Sequence, residues 1–141
     1  MQSQATTNIG NAAWSSPITG WLQMQSPVNT IGGISGGQVV VKTALAGAYL
    51  LLTATVTFAA ATTGGQRRSI RFEVNGASIG SNEGAASLTN IPFSVSLTTV
   101  YGPCVGGETI DVSVYHNQGG TVALQPMYAS YGHLFHLIRV A

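Results

Sequence analysis

From residue 39 onward the chain alternates apolar and polar positions in short runs separated by glycines. The longest run is Tyr49 to Phe58, where Leu52, Ala54, Val56 and Phe58 take turns with Thr53, Thr55 and Thr57. A period of two sends alternate side chains to opposite faces, which predicts a half-buried strand. Ser69 to Val74 repeats the pattern, with Ile70, Phe72 and Val74 on one face and Arg71 and Glu73 on the other. Asn75-Gly76 follows at once and suits a type I′ turn, because both central residues need positive φ. Ala77 to Gly80 is the returning strand, and Ser81 to Ala86 reads as a polar loop. Further strands are predicted at Val39 to Lys42, at Phe93 to Val100 with Val95 and Leu97 inward, and at Thr109 to Tyr115 with Ile110, Val112 and Val114 inward. Thr121 to Leu124 and His133 to Val140 complete the set. Thr62 to Gly65, Gly106-Gly107 and Gln118 to Gly120 read as turns. No segment sustains a 3.6-residue apolar period. Many short strands spaced by glycine-rich turns predict an all-β sandwich or barrel.

Residues 1–29 differ from the rest. They are rich in Gln, Ser, Thr and Asn, with Trp14, Pro17, Trp21 and Pro27 set among them. We expect an extended N-terminal arm over 1–29 and one β domain over 30–141. The two tryptophan rings need somewhere to bury, either on the chain's own barrel or on another subunit.

Charge is the unusual feature. Asp, Glu, Lys and Arg make up 6% of the 141 residues, against about 25% in an average soluble domain. Surface charge keeps monomers apart, so its scarcity points to a surface covered by neighbours. A merely polar surface of Ser, Thr, Asn, Gln and Gly is the plainer alternative. The only basic cluster, Arg67, Arg68 and Arg71, lies within a strand pattern and forms no stripe for phosphates; an acidic patch on a neighbour is its expected partner. The single cysteine, Cys104, cannot form an internal disulfide or a thiolate zinc site. Residues 1–11 lack the pattern of a secretory signal. The chain is expected to fold in a reducing compartment. The apolar stretch Ala44 to Ala61 alternates as a strand does and is not read as a membrane span.

Gly47-Ala48-Tyr49, leading into the strand that ends at Phe58, resembles the Gly-x-Tyr strand of the C1q and tumour-necrosis-factor-like jelly rolls. Ile70 to Gly76 is similar to that family's next hairpin. Gly106-Gly107-Glu108-Thr109-Ile110-Asp111-Val112 resembles its Gly-Asp-x-Val strand start, and Leu134 to Val140 matches its C-terminal strand. The resemblance spans about 36–141. Glu108 replaces the usual Asp, and Phe135-His136-Leu137 stands where a Phe-x-Gly element is expected. The resemblance implies an antiparallel jelly-roll β-sandwich and a homotrimer packed around a three-fold axis. By position, Tyr49, Leu51, Tyr115 and Phe135 would line that axis.

No catalytic constellation emerges, and no cofactor or metal is expected. Gly33-Ile34-Ser35-Gly36-Gly37 has the letters of a nucleophile elbow, with Asp111 and His133 following in order. That motif needs a helix after the serine, whereas here a glycine-rich loop leads into the strand Val39 to Lys42. His133 and His136 fall on opposite faces of a strand, and His116 adjoins a turn. Glu73, Glu83, Glu108 and Asp111 form no recognisable acid–base pair, and Glu108 and Asp111 supply too few oxygens for calcium. Two non-enzymatic functions fit. The first is a trimeric decoration or cement protein on the capsid of a tailed bacteriophage, assembled in the host cytoplasm. It would dock on the major capsid protein or another virion protein through the arm residues Trp14, Pro17 and Trp21. The second is a receptor- or carbohydrate-binding fibre tip, whose loop residues Tyr101, Tyr128 and Tyr131 would stack on host-surface glycans. Neither function involves nucleic acid.

Overall fold

The computed structural model describes residues 2–3, 8–15, 18, 21–22, 32–60, 66–86, 90–125 and 133–141. Among them are β1 (Gln2–Ser3), β2 (Asn8–Ile9), β3 (Trp21–Leu22), β4 (Gly32–Ser35), β5 (Gln38–Val41) and β6 (Leu50–Phe58). These are followed by β7 (Gln66–Val74), β8 (Ala77–Ala86), β9 (Phe93–Tyr101), β10 (Thr109–His116), β11 (Val122–Ala123) and β12 (His133–Arg139). A single 3-10 turn, Thr43–Leu45, precedes β6. The fold is all-β and antiparallel. One five-stranded sheet has the order β3-β1-β12-β6-β9 and the other β4-β5-β10-β7-β8. We call them the first and second sheets. β2 and β11 form a separate small ladder.

The alternation read along the chain decides what lies between the sheets. Leu50, Leu52, Ala54, Val56 and Phe58 of β6 and Val95 of β9 face Ile70, Phe72 and Val74 of β7 and Ile110, Val112 and Val114 of β10 in one core cluster. Leu97 packs at its margin. This is a β-sandwich in which each strand offers every second side chain to the interior. Asn75 (φ 50°) and Gly76 (φ 79°) both adopt positive φ, as a two-residue type I′ hairpin requires.

Two segments differ from expectation. The Ser81 to Ala86 loop is strand instead, since β8 runs to Ala86 against a β7 that begins at Gln66. Its polar side chains suit an edge. Asn82 Nδ2 donates to the Ser96 carbonyl at 2.7 Å, blunting an edge strand that could otherwise pair with another chain. Gly84 leaves room for the Phe93 ring, because a Cβ there would sit 2.7 Å from Phe93 Cζ. The second difference is at Gly33 to Gly37, expected as a loop. Gly32–Ser35 pairs with Gln38–Val41, and Gly36 (φ 56°) and Gly37 (φ 86°) make a tight hairpin.

The N-terminal residues are built into the sandwich. β1 lies between β12 and β3 in the first sheet. Ile9 and Ile18 belong to the core. Ala12, Ser15 and Ile18 donate backbone hydrogen bonds to the carbonyls of His116 (2.7 Å), Val114 (2.8 Å) and Val112 (3.1 Å). β5 pairs with β10 only at Thr109 and Ile110, so this segment takes over the rest of that edge.

Phe72 is fully buried at the centre of the second sheet. Phe72→Ala should lower the unfolding free energy by about 3–5 kcal/mol through lost burial and a residual cavity, read from urea denaturation monitored by far-UV circular dichroism.

Candidate functional site

The core covers one face of each sheet, and the two outer faces carry whatever the protein presents to others. They differ sharply in charge. β6 and β9 contain no Asp, Glu, Lys or Arg, and β12 contains only Arg139. Six of the nine charged residues (five Lys and Arg, four Asp and Glu) lie instead on the second sheet. These are Arg67, Arg68, Arg71, Glu73, Glu83 and Asp111.

On the first sheet, Leu51 is opposite Val100 on one side and Ile138 on the other. Tyr49 exchanges backbone hydrogen bonds with Val140 and Ala141, extending the same end. Tyr49, Val100, Ile138 and Val140 are 41%, 59%, 54% and 52% exposed. Single exposed apolar residues are ordinary, whereas contiguous ones mark interaction surfaces. Beyond them runs a ladder of paired hydroxyls. Thr53 meets Thr98 at 3.2 Å, Thr55 meets Ser96 at 2.8 Å and Thr57 meets Ser94 at 2.8 Å. These hydroxyls satisfy one another across the strands, so covering them costs less than covering unpaired ones.

On the second sheet the outer face is partly roofed by the N-terminal segment. The Trp14 ring lies 5.6 Å from Tyr115 and 4.1 Å under the Arg71 guanidinium. Arg71 is ion-paired with Glu73. Asp111 and Ser113 are fully buried beside them, and Gln38 Nε2 donates to Asp111 Oδ2 at 2.7 Å. Burial raises the Asp111 carboxyl above the usual range; Gln38 opposes the rise and Glu73 adds to it.

The structure brings Tyr49 and Leu51 together on the first sheet but places Tyr115 on the second, against Trp14. Phe135 stands opposite the buried Ala54 in register; its side chain lies outside the described residues. So does that of Trp21, whose backbone pairs with Ser3. Pro17, Tyr128 and Tyr131 also lie outside them. Val100, Ile138 and Val140 were not singled out from the sequence. Only strand register makes Val100 and Ile138 neighbours of Leu51 and Val140 a neighbour of Tyr49, and no linear motif encodes that.

The remaining candidates are tied into the fold. Ser35 leads into a hairpin and then β5, so no helix lifts its hydroxyl. Arg67 pairs with Glu83 at 2.6 Å. Arg68 points inward over the Phe58 ring and donates to Gln118. His116 is fully buried, contacts the Ile9 carbonyl at 2.8 Å and receives the Gln118 amide at 3.2 Å. Burial holds its pKa below the ordinary histidine value. Glu108 accepts from the Tyr101 hydroxyl at 2.6 Å and the Val105 amide at 2.7 Å. Burial, with that bond, pushes the Tyr101 phenol up to about 12. Cys104 is buried and its thiol raised by burial, the opposite of a reactive cysteine. Among the described residues, no three His, Cys, Asp or Glu side chains converge as metal ligands, and no helix is long and apolar enough to cross a membrane.

Trp14→Ala should destabilise the protein by about 1–2 kcal/mol, the sum of an aromatic pair and a half-exposed cation–π contact, measurable by thermal or urea unfolding. No family model matches the chain, and no curated protein matches its sequence.

Proposed function

We propose that this chain is a non-enzymatic structural protein of a virion, a homotrimeric decoration or cement protein of a tailed-phage capsid. The observation that carries the proposal is the outer face of the first sheet, uncharged across β6 and β9 and apolar at the end formed by Tyr49, Leu51, Val100, Ile138 and Val140. Apolar, self-satisfied surface of this kind is suited to obligate contact between identical copies. The sandwich is read as a C1q and tumour-necrosis-factor-like jelly roll. In support, the chain crosses repeatedly between sheets (β5 to β6, β6 to β7, β8 to β9, β9 to β10), and its C-terminal β12 lies beside β6. That topology fits a Greek-key double sheet. In the trimer, Tyr49 and Leu51 would face the axis.

The shell-facing element in this proposal is the N-terminal segment, whose residues 8 and 10–13 are exposed and whose Trp14 is anchored beneath. Binding only the assembled shell would stabilise that shell by mass action, and many identical copies would turn weak contacts into avidity. The glycan-binding alternative is less favoured, because Tyr101 is half-buried and held by Glu108.

Leu51→Lys and Val100→Lys place a charge in the proposed contact and should convert a trimer into a folded monomer. Sedimentation velocity would read the mass, with circular dichroism as the fold control. A wild-type monomer would refute the trimer. Cosedimentation of purified protein with undecorated capsids tests the shell role: saturable binding in multiples of three is expected. Absence of binding, together with saturable glycan-array binding, would favour the fibre tip.

A further inference from the structure

The polar layer under the N-terminal segment has a charge imbalance. On the outer face of the second sheet, Asp111 stands directly opposite Glu73 and Ser113 opposite Arg71. Both carboxyls are almost wholly buried, Asp111 at 0% and Glu73 at 7% exposed. Among the described residues, only one cationic group, the guanidinium of Arg71, reaches them. The other cations are elsewhere: Arg67 is on Glu83, Arg68 is turned into the core, Lys42 is exposed in the turn after β5, and Arg139 is on the first sheet. β5 contributes the neutral Gln38. The described residues of the N-terminal segment contain no titratable side chain, and Tyr115 is the remaining titratable group on this face of β10. Two carboxylates and one arginine would leave a net buried negative charge, which is strongly unfavourable.

The hydrogen bonding of the layer is also incomplete. Among the described residues Asp111 Oδ1 is buried without a hydrogen-bond partner, as are Arg71 Nε and Ser113 Oγ, whereas Glu73 Oε1 is held by the Arg71 guanidinium. A proton on Asp111 removes the excess charge and lets that carboxyl donate to the opposite Glu73, as in other paired carboxyls. This layer also anchors the segment above it, since Arg71 touches both Glu73 and the Trp14 ring.

We propose that a proton held on Asp111, opposite Glu73, is part of the fold, and that it makes docking of the N-terminal segment on β10 dependent on pH. With Asp111 protonated, the layer is neutral and Arg71 is free to hold both Glu73 and Trp14. Ionisation adds an unpaired charge under the segment, and release of the segment lets water reach it. The direction follows from linkage. Asp111 binds its proton more tightly when docked, so its contribution to docking is fully present below the ordinary aspartate value of about 3.9 and is lost as pH rises through its raised value, while His116, buried against the Ile9 carbonyl with its pKa held low, acts in the opposite sense at acid pH. Between those limits the docking constant falls by up to about tenfold per pH unit. A segment that leaves β10 would expose Trp14 and an unpaired sheet edge to a second partner, so the same device would govern when the arm is available to a shell. The latch itself lies within one copy and holds whether or not the trimer forms.

Two measurements on the full chain test this. Carboxyl 13C NMR of the wild-type protein should show Asp111 titrating above the ordinary aspartate range; an ordinary titration overturns the proposal. Hydrogen exchange at the amides of Ala12, Ser15 and Ile18, corrected for intrinsic rates, should lose protection relative to an Asp111→Asn protein as pH rises above the ordinary aspartate range, by up to about tenfold per unit. Asp111→Asn keeps a neutral group at this position and should show no loss of protection as pH rises, the titration of His116 being common to both proteins. A wild-type pH profile of protection that matches that of Asp111→Asn overturns the proposal. Recovery of wild-type protection at high pH on adding calcium also overturns it, because a cation rather than a proton would then fill the layer.

Discussion

A strand has two faces, and a single core can cover only one of them. Everything else in this protein follows from how that constraint is met. Alternate residues of β6, β7, β9 and β10 close one interior, leaving two outer faces of opposite character. The second sheet keeps most of the chain's few charges and is roofed by the chain's own N-terminal segment. The first keeps almost none and is left open at an apolar end.

The two solutions imply different partners. The first sheet, with its paired hydroxyls, its contiguous apolar end and Arg139 alone among Asp, Glu, Lys and Arg, asks for little counter-charge from whatever covers it. The charged sheet needs a cover that supplies backbone donors along β10 and an aromatic ring for Arg71. The N-terminal segment supplies both. Its hydrogen bonds to the carbonyls of Val112, Val114 and His116 take up the edge of β10 where β5 diverges. Ile9 and Ile18 bury with it, which is why removing the whole segment would test folding before it tested binding.

Much of the fold was legible in the sequence because period-two alternation reports directly on burial. Ile70, Phe72, Val74, Ile110, Val112 and Val114 were assigned inward from spacing alone and are buried. Asn75-Gly76 announced its turn through the positive φ that those residues tolerate. The glycine-rich stretch around Ser35 and the polar Ser81 to Ala86 misled, because strand formation there depends on backbone ladders to β5 and β7 rather than on side chains. Composition showed that charge was scarce but not where it was.

What the sequence determined by itself was the set of two-faced strands, since alternation needs only local backbone geometry. Tertiary structure decided which strands became neighbours. Strand order set Val100 and Ile138 beside Leu51, parted Tyr115 from Tyr49, and buried Asp111 opposite Glu73 and its partner Arg71. Those pairings join residues tens of positions apart, and only the closing of two sheets over a common core brings them together.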